Sequence, residues 1–137
     1  MARPLRLLLA LLVLVTLAPA ASAQDEPSAA LKSSTPAERA KFQTAFMKQK
    51  LSLTDEQLPK VEQINLETAQ KMDPVIKGDQ RPLMKMRAMR AIELEKETAL
   101  QGVLTPAQFQ QFLAARDELE RKLEQHLLEK KAGAGSS

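Results

Sequence analysis

Apolar and polar positions follow the helical period along three stretches of the chain, and each stretch is preceded by its own start signal. Thr35-Pro36-Ala37-Glu38 opens the first. Thr35 suits the N-cap, Pro36 the first helical position, and Glu38 can reach back to the cap N–H. Phe42, Ala45, Phe46 and Met47 then share one side, which predicts a helix ending near Lys50. Leu53-Thr54-Asp55-Glu56-Gln57-Leu58 is a fuller version: Thr54 caps, Gln57 closes the box, and Leu53 can staple to Leu58. Leu58, Val61, Ile64, Ala69, Met72 and Ile76 form its stripe, with Leu66 off it. Leu104-Thr105-Pro106-Ala107-Gln108-Phe109 repeats the device, and Phe109, Phe112, Leu119, Leu123 and Leu127 follow as a stripe interrupted by Arg116.

A further helix lies between the twin starts. Gly78 and Asp79 suggest a turn, Pro82 a helix start and Gly102 a C-cap. Pro74 predicts an end or a kink in the helix before it, and Pro59 a local bend near that helix's start. No stretch alternates as a strand. The expected architecture is all-α, a long-helix hairpin of about four helices. Long stripes with few large side chains would leave a single thin hairpin wet on one face, which points to a homodimer.

The first twenty-three residues read as a signal peptide. Arg3 and Arg6 form a positive start, Leu7–Ala18 is apolar, and Ala21-Ser22-Ala23 fits a cleavage site. The apolar run falls short of the roughly 20 residues a membrane span needs. Cleavage after Ala23 would give an exported protein with no stable membrane insertion. The remaining chain divides into a mobile arm at 24–34, a helical domain at 35–131 and a flexible tail at 132–137. Losing Arg3 and Arg6 takes Lys+Arg from 20 to 18 against 17 Asp+Glu, and net charge from +3 to +1. With that excess gone and no aromatics set among the bases, nucleic acid is not an expected partner.

Two Leu-Thr-x-x-Gln motifs, Leu53-Thr54-Asp55-Glu56-Gln57 and Leu104-Thr105-Pro106-Ala107-Gln108, behind an export leader resemble the Spy/CpxP (LTXXQ) family of periplasmic proteins. The likeness covers roughly residues 51–119. It implies long helices in an antiparallel, cradle-like dimer. It also implies one of three roles: ATP-independent chaperone for unfolded envelope proteins, regulator docking on a sensor kinase, or periplasmic metal binder. The chain lacks the His-rich and Met-rich flanks of some relatives, and Pro59 departs from a straight second helix. Leu53, Thr54, Gln57, Leu104, Thr105 and Gln108 carry over as helix-capping elements rather than ligand contacts.

Candidate chemistry is sparse. The chain has no Cys and a single His, and no Gly-rich phosphate loop, so an enzyme is not expected and neither is a cofactor. His126 lies near Glu124 and Glu129, but zinc wants three or four ligands, so His126 reads as solvated or partly packed. Met84, Met86 and Met89, with Met72 nearby, suit core filling first, pliant binding second and copper third. Lys77, Arg81, Lys85, Arg87 and Arg90 share their segment with one acid, Asp79. A solvated face is the plain meaning of such a run. Beside Met84, Met86 and Met89 it is also the expected client-binding surface, and the resemblance favours that reading. Glu118 and Lys122 are spaced for a surface ion pair.

Overall fold

The structure, a computed structural model, describes residues 27–136, and the expected leader with its cleavage site lies outside them. Among the described residues the regular structure is entirely helical: α1 (Ala29–Ser33), α2 (Pro36–Leu51), α3 (Gln57–Lys77), α4 (Pro82–Gln101) and α5 (Pro106–Ala134). The all-α hairpin architecture is as the sequence predicts. None of the helices is long and apolar enough to cross a membrane.

All three capping boxes form. Thr35 N–H donates to Glu38 Oε2 (2.9 Å) and Thr35 Oγ1 accepts from Glu38 N–H (3.2 Å). The same exchange joins Thr54 to Gln57 at 3.1 and 3.2 Å, and Thr105 to Gln108 at 3.0 and 3.2 Å. Each satisfies N–H groups that a helix start otherwise leaves unpaired. The continuous helix α3 counts only from Gln57, although Leu58 N–H already bonds Thr54 O at 3.0 Å. Pro59 has no N–H for the Asp55 carbonyl, so the regular ladder starts late.

Three boundaries differ from expectation. Residues 29–33, within the predicted mobile arm, form α1, because Ser28 Oγ caps Leu31 N–H at 3.1 Å and Ala30 is buried against Leu123 and Leu127. Pro74 does not end α3, which continues a turn further to Lys77. At the other end α5 runs through Ala132–Ala134 of the predicted tail, giving 29 residues and a length of about 43 Å at 1.5 Å per residue.

The helices run up and down. α3 packs most closely against α2 and next against α4, α5 lies along α2, and α4 meets α5 least. The α2–α5 pairing has a readable register. Lys50 bonds Glu118, Lys122 lies over the Phe46 ring, Phe42 stacks on His126, and Glu38 pairs with Lys130. Each step moves one turn down α2 and one turn up α5, as antiparallel helices require. Two apolar clusters fill the ends. Met47, Leu51, Val61, Leu100, Leu104, Phe109 and Phe112 pack where α3 and α5 begin, whereas Ala30, Leu123 and Leu127 pack at the far end.

The predicted stripes are inside. Val61, Ala69, Met72 and Ile76 of α3 are buried, as are Phe109, Phe112, Leu119, Leu123 and Leu127 of α5, and Leu66 points outward. Ala45 is exposed rather than packed with Phe42, Phe46 and Met47. Gly78 closes α3 by close approach, since a Cβ there would lie 2.7 Å from the Pro74 carbonyl oxygen. Ser52 ends α2 in the left-handed region at φ 51°.

Candidate functional site

Two features stand out against the bundle. One is a polar lock at the end where the twin motifs meet. α3 has 21 residues and α4 has 20, so the chain returns from α4 almost level with the start of α3. The helix starts of α3 and α5 therefore lie side by side. Gln57 Nε2 donates to Gln108 Oε1 (2.7 Å) and to Val103 O (3.1 Å), while Gln108 Nε2 donates to Gln57 Oε1 (3.0 Å) and to Leu51 O (3.2 Å). Each Oε1 also accepts from its own cap. Leu104 and Phe109 are buried beneath the lock and Leu53 packs beside them. Thr54, Gln57, Thr105 and Gln108 thus cap the two helix starts, Leu53 and Leu104 pack in the apolar cluster beside them, and the two glutamines also join α3 to α5. That cross-link was not foreseen.

The second feature is the outer face of α4. Leu83, Arg87, Arg90 and Leu94 recur at intervals of three and four, so they share one face. Leu83, Met84, Met86 and Leu94 are 55%, 53%, 51% and 47% exposed. Arg81, Arg87 and Arg90 are exposed and make no ion pair among the described residues. Lys77, at the end of α3, is exposed and bonds Asp73 at 2.9 Å. Met72 is buried and fills the core, whereas Met89, expected on this surface, is half-buried at its edge. One predicted surface residue is corrected: Lys85 is 2% exposed. It falls on the inner face of α4 with Lys96 and Leu100, which puts it out of reach of a partner docking on the outer face.

Buried polar groups tie the helices together. Arg39 is 3% exposed and donates to Ser34 O, Ser34 Oγ, Ala69 O and Asp73. The guanidinium, with Lys77 beside it, holds the Asp73 carboxyl below its ordinary range. Asn65 donates to Thr44 Oγ1 at 3.0 Å, linking α3 to α2. Lys96, also 3% exposed, reaches from α4 to Gln43 Oε1 (3.0 Å) and lies 5.8 Å from the Phe112 ring centre. Burial pushes its amine down, and Glu93, Glu120 and Glu97 pull it partly back. Arg116, the polar break in the α5 stripe, pairs with Glu97. Lys96 belongs to none of the motifs or charge runs read from the sequence. Its position eleven residues beyond Lys85, on the same face, was the available signal.

His126 stacks on Phe42 with ring centres 4.9 Å apart. Among the described residues no three His, Asp or Glu side chains converge as ligands for a metal. The Glu118–Lys122 pair forms as predicted at 3.0 Å, and Lys50 joins it. Glu118 is held down at about 2 by those two ammonium groups.

The fold and these features define a small all-helical bundle whose helix α4 presents an exposed face that is both basic and apolar. Residues 23–112 match the family described as Domain of unknown function (DUF4890), and the chain belongs to that family. The match takes in both motifs, the whole of α1 to α4 and the start of α5. No curated protein and no solved structure matches the chain.

Proposed function

We propose that the chain is an exported, nucleotide-independent binder of unfolded proteins, working through the outer face of α4. The observation that carries this reading is the cluster of Leu83, Met84 and Met86, each about half exposed, among the unpaired guanidiniums of Arg81, Arg87 and Arg90. Exposed apolar side chains grouped in this way mark interaction sites. Flexible thioethers adapt to varied partners. Unpaired cations attract acidic chains at a distance and release them as salt rises. The likeness of the two Leu-Thr-x-x-Gln motifs to the Spy/CpxP family supports the same role, as does the leader that predicts export. A homodimer would shelter part of the exposed apolar surface, and sedimentation at high micromolar concentration tests it.

Aggregation suppression tests the function. The mature protein is mixed with a reduced or heat-stressed client and light scattering is followed. Scattering is expected to fall at a several-fold excess of the protein, and to return with Arg87→Glu/Arg90→Glu. A wild-type protein without effect ends the proposal, whereas a fully active charge-reversed variant removes the basic face from it.

A further inference from the structure

The chain contains no Cys, Trp or Tyr and six Met. Thioethers are therefore the side chains that a two-electron oxidant attacks most readily here. The fold sorts them sharply. Met47 is 1% exposed and Met72 is 8%, and Met89 is half-buried, whereas Met84 and Met86 are 53% and 51% exposed. Every strongly exposed thioether among the described residues thus lies on the outer surface of the first two turns of α4, beside exposed Leu83.

We infer that Met84 and Met86 form an oxidant-sensitive modification site that switches off apolar binding by this surface. The reaction is an oxygen-atom transfer from a peroxide. The thioether sulfur attacks the peroxide oxygen, an S–O bond forms, the O–O bond breaks and water leaves. Sulfur is oxidised to the sulfoxide and the peroxide is reduced. Reduction by a sulfoxide reductase reverses it.

The location makes this a switch rather than damage. Sulfoxidation of Met47 or Met72 would place a strong dipole in the core. At Met84 and Met86 the new oxygen faces water. It is also within helical reach of a cation, because Arg87 follows Met84 by three positions and Arg90 follows Met86 by four. A guanidinium can donate to a sulfoxide oxygen, so the oxidised surface is polar and satisfied while the helix persists. Met84 and Met86 flank the Leu83–Arg87–Arg90–Leu94 face on opposite sides, so oxidation turns an adaptable apolar group into a polar one along each edge of it. The chemistry of the site stands on exposure alone. Its effect on clients rests on the function proposed above.

The test uses the mature protein and hydrogen peroxide. Samples taken over time are digested, and each methionine peptide is followed by mass spectrometry. Met84 and Met86 are expected to oxidise at least about tenfold faster than Met47 and Met72. Helical circular dichroism should be retained at that point, and binding of an apolar fluorescent dye should fall. Met84→Leu/Met86→Leu should show the same dye binding before and after peroxide, whatever its starting level. Equal oxidation of Met47 or Met72, or unchanged dye binding by oxidised wild type, overturns the inference. Client suppression is measured in parallel. Its absence even before peroxide speaks against the proposed function, and the peptide and dye readouts still decide the modification site.

Discussion

Gln57 and Gln108 exchange amide hydrogen bonds in both directions, at 2.7 and 3.0 Å, and each also closes its own capping box. Every site on each side-chain amide is used: the oxygen accepts twice and the nitrogen donates twice. A capping box alone needs only an acceptor, which Glu supplies as well as Gln, as Glu38 does for Thr35. The twin motifs need Gln because the same side chain must also donate. A local helix-start signal is thus turned into a tertiary clasp between α3 and α5.

That requirement is open to test. Gln57→Glu or Gln108→Glu keeps the cap acceptor and removes both donors. It also turns a carboxylate toward the remaining amide and a backbone carbonyl. Each change should cost about 2–3 kcal/mol in urea unfolding, since partly buried acceptors are left unpaired. Glu38→Gln should cost under about 1 kcal/mol, losing only an exposed charge pair and some dipole interaction. Equal stability of Gln57→Glu and wild type would show that the clasp contributes nothing.

The left-handed turn at Ser52 gives a change in the opposite direction. An L-residue there works against its own Cβ, by about 1 kcal/mol or more. Glycine is free of that penalty, though it orders a more flexible chain. Ser52→Gly should raise stability by about 0.5–1 kcal/mol in the same urea assay. A loss of stability would mean that the Ser52 side chain makes an interaction worth more than the strain.

Acid should loosen the bundle through Asp73 and Glu118. Both carboxyls are held below their ordinary values, Asp73 by Arg39 and Lys77 and Glu118 by Lys50 and Lys122. For a lowered carboxyl the folded state binds fewer protons than the unfolded one. Its contribution is present above the unfolded pKa and is lost as pH falls through the folded value. For Glu118 that window runs from the ordinary 4.5 down to about 2, and for Asp73 it lies below 3.8. Asp73→Asn/Glu118→Gln should lower the melting temperature at pH 7 and flatten its decline below pH 4.5. A decline as steep as that of wild type would assign the acid sensitivity to other groups.

Much of this fold was legible because its signals are local. A cap, a proline at the first helical position and a stripe of one period each involve residues within a few positions. They located the starts at Thr35, Thr54 and Thr105 and the buried faces of α3 and α5. What escaped was long-range. Nothing near Gln57 reveals that Gln108 lies against it, although two nearly equal helices between the motifs imply it. Pro74 reads as a stop because its lost hydrogen bond is local, whereas the packing of Val75 and Ile76 that carries α3 onward is tertiary. Lys85 was assigned to the surface from the charge run around it. Its periodicity with Lys96 and Leu100 was the better guide, and the site keeps Arg87 and Arg90 without it.

The interior lysine yields the last prediction. Lys96 spans from α4 to Gln43 on α2 and lies against Phe112 on α5, with 3% of its surface exposed. An ammonium has three donors, and among the described residues Gln43 is the side chain that accepts from it. Burial disfavours its charged form, so the folded pKa lies below the ordinary 10.5. The unfolded chain then binds more protons between those two values, and wild-type stability should rise with pH across that window. Methionine has nearly the same length, fills the space beside Phe112 and needs no hydration. Gln43 is only half-buried and can turn to water. Lys96→Met should therefore stabilise the bundle by about 1–3 kcal/mol at pH 7, with less gain above pH 10.5. Urea unfolding at pH 7 and at high pH checks both parts. A destabilised variant would mean that the Gln43 bond and the carboxylates of Glu93, Glu97 and Glu120 outweigh the burial of the charge.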